Sequence, residues 1–159
     1  MASYEATVRW WRGDGERFTD QLYGRAHAWY FDGGAVVPAS SSPHVVRPPL
    51  SDPASVDPEE AFVVALSSCH MLFFLSLAAA AGYVVDSYED AALGTMTRDG
   101  GRTWLGRVAL RPRVVFGGGA RPSKAAVEAL HHEAHDRCYI ANSVRTEITV
   151  EGSAEGLSG

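Results

Sequence analysis

The chain has 159 residues, a formal net charge of −5 and a hydrophobic fraction of 46%. That apolar fraction excludes a disordered chain, and the length suits one domain, which we expect to cover residues 1–159. The negative charge disfavours nucleic acid and anionic membrane surfaces as partners.

The N-terminus has no basic region followed by an apolar stretch, so we expect no export signal and a cytoplasmic location. The chain contains two cysteines. In a reducing compartment a disulfide between them would be transient rather than structural.

Two strands and a long loop are predicted for the first third of the chain. Residues 4–11 and 22–31 are rich in β-forming residues, and a glycine-containing turn follows each run. Residues 38–58 are rich in proline and serine, which predicts a surface loop without regular structure.

A long helix is predicted from residue 58 to about residue 81. Asp57 can cap it, Pro58 suits its first position, and Gly82 ends it. The stretch from 61 to 85 carries no fixed charge and is long enough to span a bilayer. Its acidic flanks and its internal serine, cysteine and histidine residues favour a helix buried on all sides of a folded domain instead.

Residues 87–97 and 103–116 predict a hairpin around the turn at 99–101. A second helix is expected from Lys124 to about Tyr139, with Ser123 as its cap. Apolar residues recur in it every four positions and place Cys138 on the inward face. Residues 146–150 predict a last strand, and 153–159 a frayed tail.

This order of elements favours the α+β class. We expect a mostly antiparallel sheet packed with a long central helix and a second, cysteine-bearing helix.

The two cysteines allow more than one interpretation. A free cysteine is commonly a small core hydrophobe. Cys69, however, lies among Ser67, Ser68 and His70, polar residues that are unusual at the centre of an apolar helix. A thiolate beside a cation attacks peroxides, and a second thiol nearby traps the resulting sulfenic acid as a disulfide. Spacing alone does not show that Cys69 and Cys138 meet.

Three segments carry a family resemblance. Residues 57–62 (DPEEAF) and 65–70 (ALSSCH) resemble the first cysteine helix of the OsmC/Ohr family, the osmotically inducible and organic-hydroperoxide-resistance proteins. Residues 134–143 (AHDRCYIANS) resemble the second cysteine motif of that family, and the order of elements agrees along nearly the whole chain.

The resemblance implies an OsmC-like fold and a thiol peroxidase that acts on organic or inorganic hydroperoxides without a cofactor. It also implies an intertwined homodimer with active sites between the subunits. By position Cys69 would be the peroxidatic cysteine and Cys138 the resolving one. The expected reductant is a dithiol, which in the Ohr branch is a dihydrolipoyl group.

The resemblance also assigns Glu59 to pair with an active-site arginine. Arg25, Arg12 and Arg17 are candidates, and Arg25 is favoured because it lies on a strand that could line the site. Ten residues of regular helix put Glu59 about 15 Å along the axis from Cys69. If both serve one site, one of them comes from the second subunit, or Glu59 lies on a bent segment.

For substrate contact we expect four residues, His70, Phe62, Phe73 and Tyr139. Tyr139 stands where the second motif often has proline, and His70 where the Ohr branch tends to have an aromatic residue. These departures suggest an OsmC-like side branch.

Two other functions compete with the peroxidase. The first is a non-catalytic redox-sensing or ligand-binding protein of the same fold. The second is a metal-binding protein, because His131 and His135 share a helical face with Cys138. The histidines lack the spacing of a His-Glu-x-x-His site, and exposed helix polar groups explain them better, so we expect no metal.

Overall fold

The computed structural model describes residues 1–158, which form two compact units, one over Met1–Ala61 and one from Phe62 onward. The first unit contains a three-stranded antiparallel sheet in the order β1-β2-β3. Its strands are β1 (Ala6–Arg9), β2 (His27–Phe31) and β3 (Val36–Ala39). The single domain expected over residues 1–159 stays a prediction.

The two predicted strands of the first unit are present but shorter than expected, and β3 corrects the prediction of an unstructured loop from residue 38. Pro38 lies within β3, opposite Ala28 of β2. β3 is an edge strand, where the missing N–H of proline is tolerated. The remainder of the predicted loop, residues 40–57, contains no helix or strand.

The long helix α1 (Pro58–Ala80) begins as predicted. The Asp57 carboxylate accepts a hydrogen bond from the backbone N–H of Glu60 at 2.8 Å, and the Glu60 carboxylate accepts one from the N–H of Asp57 at 3.2 Å. This reciprocal pair is a capping box. At the other end Gly82 has φ +81°, the left-handed conformation that commonly follows a helix.

α1 is not buried on all sides of the chain, which corrects the prediction. Only a stripe at every fourth position is buried, comprising Leu66, His70, Phe74 and Ala78. On another face Val64 and Leu72 are 61% and 60% exposed. By length and composition alone α1 could cross a membrane. Its buried stripe packs against a second helix and the sheets, as in the core helix of a folded domain.

The second unit contains two three-stranded sheets. Its first four strands are β4 (Val84–Asp90), β5 (Leu93–Asp99), β6 (Arg102–Leu110) and β7 (Pro112–Gly117). The predicted hairpin is present as β5 and β6, joined by a turn in which Gly100 and Gly101 have positive φ. Each predicted long strand is divided in two, because β4 pairs with β7 in the other sheet.

Two short parallel strands complete these sheets. β8 (Glu147–Val150) pairs with β6, close to the predicted last strand. β9 (Ser153–Glu155) pairs with β7, so the tail predicted to fray from residue 153 is ordered there instead. The Glu155 carboxylate accepts a hydrogen bond from Arg113 of β7 at 2.9 Å. Gly159 lies outside the described residues.

The second helix, α2 (Lys124–Arg137), begins as predicted, because the Ser123 hydroxyl accepts a hydrogen bond from the N–H of Ala126 at 3.1 Å. It ends two residues earlier than expected. Cys138 has ψ 110° and is the C-terminal cap rather than the last turn. The α+β class, with two helices and antiparallel-rich sheets, is confirmed.

Gly106 offers a test of the β5–β6 register. A Cβ at this position would lie 2.5 Å from Cβ of Thr97 and closer still to its hydroxyl oxygen, whereas nothing lies within 4 Å of a Cβ at Gly119. We expect Gly106→Ala to lower the free energy of unfolding by about 1–3 kcal/mol, because the contact cannot relax by turning a flexible side chain. Gly119→Ala is the matched control and should stay within about 0.5 kcal/mol of the native chain in urea denaturation.

Candidate active site

The structure brings the two cysteines together. Cys69 lies in the middle of α1 and is half-buried, while Cys138 caps α2 and is 1% exposed. Both are free thiols, and they are neighbours: Cys69 is close enough to contribute to the raised pKa of Cys138. The sulfur atoms therefore need only a short approach to form a disulfide.

The environment distinguishes the two thiols. Burial raises the pKa of Cys138 to about 11, and the neighbouring Cys69 thiol acts in the same direction. The backbone N–H of Ala141, 3.4 Å from the Cys138 sulfur, opposes this shift only in part. Cys138 therefore keeps its proton at neutral pH, and Cys69 is the more exposed of the two thiols.

An aromatic pair lies next to the thiols along the chain. Phe73 is one helical turn after Cys69, and Tyr139 directly follows Cys138. Their rings meet edge to face, with centroids 5.2 Å apart. Tyr139 is 70% exposed, so the pair offers apolar surface that is open in the chain. Phe62, the third aromatic residue expected at the site, packs instead against the cluster of Leu66, Val108 and Leu110.

The polar residues around Cys69 have structural partners. The Ser67 hydroxyl donates a hydrogen bond to the Asp90 carboxylate at 2.5 Å, and the other carboxylate oxygen accepts the N–H of Arg111 at 2.6 Å. Burial, followed by the charge of Asp90, raises the pKa of Tyr88. The sequence analysis missed Asp90, and no local signal marks it, because its partners are 21 and 23 positions away.

His70 lies in the core, 1% exposed, rather than on an open surface. Its Nε2 is 3.0 Å from Nδ1 of His131 on α2, and the two rings are stacked. The other face of this cluster is Phe74, whose ring stacks with His131 at 4.3 Å. Substrate contact by His70 stays a prediction, and its burial in the chain gives no support for it.

Both imidazoles of this pair are held neutral. Burial is the main reason that the pKa of His70 is lowered to about 4, and the charge of His135 adds to it. Burial also lowers the pKa of His131 to about 4, with His70 as the second cause. An apolar core disfavours the charged form of each ring.

Within residues 1–158, no group of three or more histidine, cysteine, aspartate or glutamate side chains is arranged to hold a metal ion. His131 faces His70, and His132 lies 3.6 Å from the Asp136 carboxylate of its own helix.

The structure does not pair Arg25 with Glu59. The Arg25 guanidinium donates hydrogen bonds to the carbonyls of Gln21, at 3.0 Å, and Tyr23. It also lies 3.5 Å above the Tyr23 ring. Across residues 1–61 no ion pair joins it to Glu59, which is in the first turn of α1.

The other two candidate arginines are also engaged locally. Arg12 donates a hydrogen bond to the carbonyl of Glu16. Arg17 pairs with Asp20 at 3.1 Å on the surface. Local contacts therefore do not choose among the three arginines.

Two neighbouring free thiols, one on a long core helix and one at the end of a second helix, define a dithiol protein of the α+β class. The family comparison gives the particular family. Residues 51–153, which include both cysteines, match the OsmC-like protein family, and the chain belongs to it. The resemblance inferred from the sequence is confirmed.

Solved structures agree with this assignment. An OsmC-like protein of unknown function from Vibrio cholerae is 54% identical, covers 96% of this chain and 100% of its own, and superposes with a TM-score of 0.94. An OsmC-like protein from Mycoplasma pneumoniae is 14% identical over 96% of this chain and 97% of its own, with a TM-score of 0.69.

The organic hydroperoxide resistance protein OhrB of Bacillus subtilis is also 14% identical, over 97% of this chain and 98% of its own, with a TM-score of 0.60. At these lower identities the likeness shows the fold alone. Comparison with curated proteins gave no match.

The histidine pair predicts a loss of stability in acid. Between pH 6.5 and about 4 the folded chain binds fewer protons than the unfolded chain, because both rings have their pKa lowered across that window. The free energy of unfolding should therefore fall as the pH drops through it. Urea denaturation at several pH values measures this slope.

His132→Ala is the control and should leave the slope unchanged, because its side chain is 81% exposed. In a histidine NMR titration two of the six rings should stay neutral down to about pH 4. Titration of all six rings near pH 6.5 would contradict the burial of the pair.

Proposed function

We propose that the chain is a two-cysteine peroxidase that reduces organic hydroperoxides through a Cys69 sulfenic acid and a Cys69–Cys138 disulfide. The supporting observation is the proximity of the two free thiols, Cys69 in α1 and Cys138 at the end of α2. Membership of the OsmC-like family adds support. Relatives with this fold from Legionella pneumophila, Elizabethkingia anophelis and Bacillus subtilis are named organic hydroperoxide resistance proteins.

Cys69 is the attacking thiol in this proposal, because it is the more exposed of the two and Cys138 retains its proton. Its thiolate attacks one peroxide oxygen and the O–O bond breaks. The alcohol leaves after taking up a proton, and Cys69 becomes a sulfenic acid.

Cys138 then attacks the sulfenic sulfur. The S–S bond forms, the S–O bond breaks, and the thiol proton leaves with the hydroxide as water. Because the two thiols are already neighbours, the step needs no large movement of either helix. An external dithiol, such as a dihydrolipoyl group, reduces the disulfide and is itself oxidised.

The Phe73–Tyr139 pair is assigned to the apolar part of an organic peroxide, because it follows both thiols and Tyr139 is exposed. Phe62 and His70 belong to the wall behind the site, since they pack into the core clusters. This assignment favours organic over inorganic hydroperoxides.

A second copy of the chain completes the proposed site. The exposed apolar face of α1, with Val64 and Leu72, suits a homodimer interface. A cation beside Cys69 would stabilise its thiolate. We assign that role to Arg25 of one subunit, which would leave its contacts with the Gln21 and Tyr23 carbonyls to pair with Glu59. The ten-residue separation of Glu59 and Cys69 favours contributions from both subunits.

The different roles of Cys69 and Cys138 predict different effects of their substitution on peroxide consumption. Cys69→Ser should abolish consumption of cumene hydroperoxide, because the attacking thiol is removed and the remaining thiol, Cys138, is buried and keeps its proton. Cys138→Ser should complete one oxidation and then stop, because the sulfenic acid is not resolved and overoxidises. Peroxide consumption, with mass mapping of the oxidised products, measures both.

The same experiment distinguishes the alternative of a redox sensor. A native chain that forms the Cys69–Cys138 disulfide but does not turn over with peroxide and a dithiol is a sensor rather than an enzyme. Normal turnover by Cys69→Ser would show that the assignment is wrong.

The choice of arginine is tested by three matched variants. Arg25→Met should lower the rate of Cys69 oxidation by about tenfold or more, the effect of one lost charge-assisted hydrogen bond. Arg12→Met and Arg17→Met are the controls and should retain the native rate. If one of these two loses activity while Arg25→Met does not, that arginine serves the site instead.

If each active site takes residues from both subunits, two variants with different defects should complement each other in a mixed dimer. Cys69→Ser and Arg25→Met chains, co-expressed with different tags, should recover about a quarter of native activity, because half of random dimers are mixed and each has one intact site. Co-expression of Cys69→Ser with Cys138→Ser is the control and should recover none. Absence of recovery in the first mixture would place the arginine and cysteine of a site in one subunit.

A further inference from the structure

A cleft of about 690 Å³ lies beside α2, between that helix and the last strands of the second unit. Neither cysteine lines it. Its volume is typical of small-molecule sites, which run from about 300 to 1,000 Å³. We propose that this cleft binds a small organic carboxylate with an apolar body.

The floor of the cleft is apolar. It is formed by one residue of α2 and by residues of β8, β9 and the chain end: Val127, Ile148, Val150, Ala154 and Leu157. These side chains present hydrocarbon to a space that is open to a ligand. An apolar body of several carbons would bury surface here and gain affinity from it.

The inner wall holds a fixed hydrogen-bond donor, His131. This residue is 9% exposed, and its Nδ1 is hydrogen-bonded to Nε2 of His70 at 3.0 Å. Nδ1 of His70 is buried without a partner within residues 1–158. A bare acceptor nitrogen is less costly in that position than an orphaned N–H, so the proton of His70 is on Nε2 and points at His131.

The proton of neutral His131 is therefore on Nε2. Within the described chain this nitrogen has no hydrogen-bond partner, and it is not one of the buried unpartnered atoms. It lies on a residue that lines the cleft. A ligand oxygen that accepts this N–H would satisfy the one N–H of the histidine pair that has no partner in the described residues.

The charges around the cleft favour an anion. Both carboxylates that line it are compensated: Glu128 lies 3.9 Å from Lys124, and the two oxygens of Glu151 lie 2.8 Å from Arg107 and 3.5 Å from Arg111. A cationic ligand would find no free carboxylate in the cleft.

Donors remain for a carboxylate. His135 lines the cleft and has no ion pair or side-chain hydrogen bond in the part of the chain that is described. His131 and His135 are one helical turn apart and both line the cleft, so both can face one ligand. His132 lies at the rim and faces Asp136.

The test uses three probes with the same hydrocarbon body and the full chain. Octanoate should bind saturably in calorimetry, and octanol about tenfold more weakly, because it lacks the charge-assisted hydrogen bonds. Octylammonium should not bind detectably. In ¹⁵N NMR, octanoate should shift the Nε2 resonance of His131.

Variants locate the site. His135→Ala should weaken octanoate binding by about tenfold, while His44→Ala, an exposed histidine that does not line the cleft, should bind as the native chain does. Cys69→Ser should also bind normally, so the outcome is independent of the peroxidase proposal. Equal affinity for octanoate and octanol, preference for octylammonium, or no saturable octanoate binding would each overturn the inference.

Discussion

The contact between α1 and α2 is the constraint on which the rest of the second unit depends. Phe74 and Ala78 of α1 pack with Val127, Leu130 and Ala134 of α2 in one buried cluster. This apolar contact excludes water, so polar groups buried within it must find their hydrogen-bond partners among one another. The histidine pair does so, and the two thiols are neighbours; each pair has one member from α1 and its partner on or directly after α2.

Three polar residues of α1 each contact a residue elsewhere in the second unit. Ser67 is hydrogen-bonded to Asp90 at the end of β4, and His70 to His131, while Cys69 is a neighbour of Cys138. Apolar contacts are not directional, whereas hydrogen bonds require defined distances and angles. The polar residues therefore set the rotation and translation of an otherwise apolar helix. A slip of one turn, about 5.4 Å, would break all three contacts and separate the sulfur atoms.

The contacts of Asp90 explain why the two long strands predicted from the sequence are four shorter strands, β4 to β7, in the structure. Its carboxylate binds Ser67 and the backbone N–H of Arg111, at the point where the chain passes from β6 to β7. Alternation of apolar and polar residues continues through such a point, so periodicity predicts one long strand where the chain changes sheets. The short parallel strand β9 was missed for a related reason: its partner is about 40 residues earlier in the chain.

Local sequence determined the features whose causes are local. The capping residues Asp57 and Ser123, the glycines of the β5–β6 turn and the apolar repeat of α2 act within a few positions, and each predicted element is present. The family resemblance identified both cysteines on the same basis. Only the tertiary structure decided what faces each side chain: that Cys138 meets Cys69, that His70 meets His131, and that one face of α1 is exposed. These contacts join residues some 60 to 70 positions apart, and their geometry comes from helix packing, which no local pattern encodes.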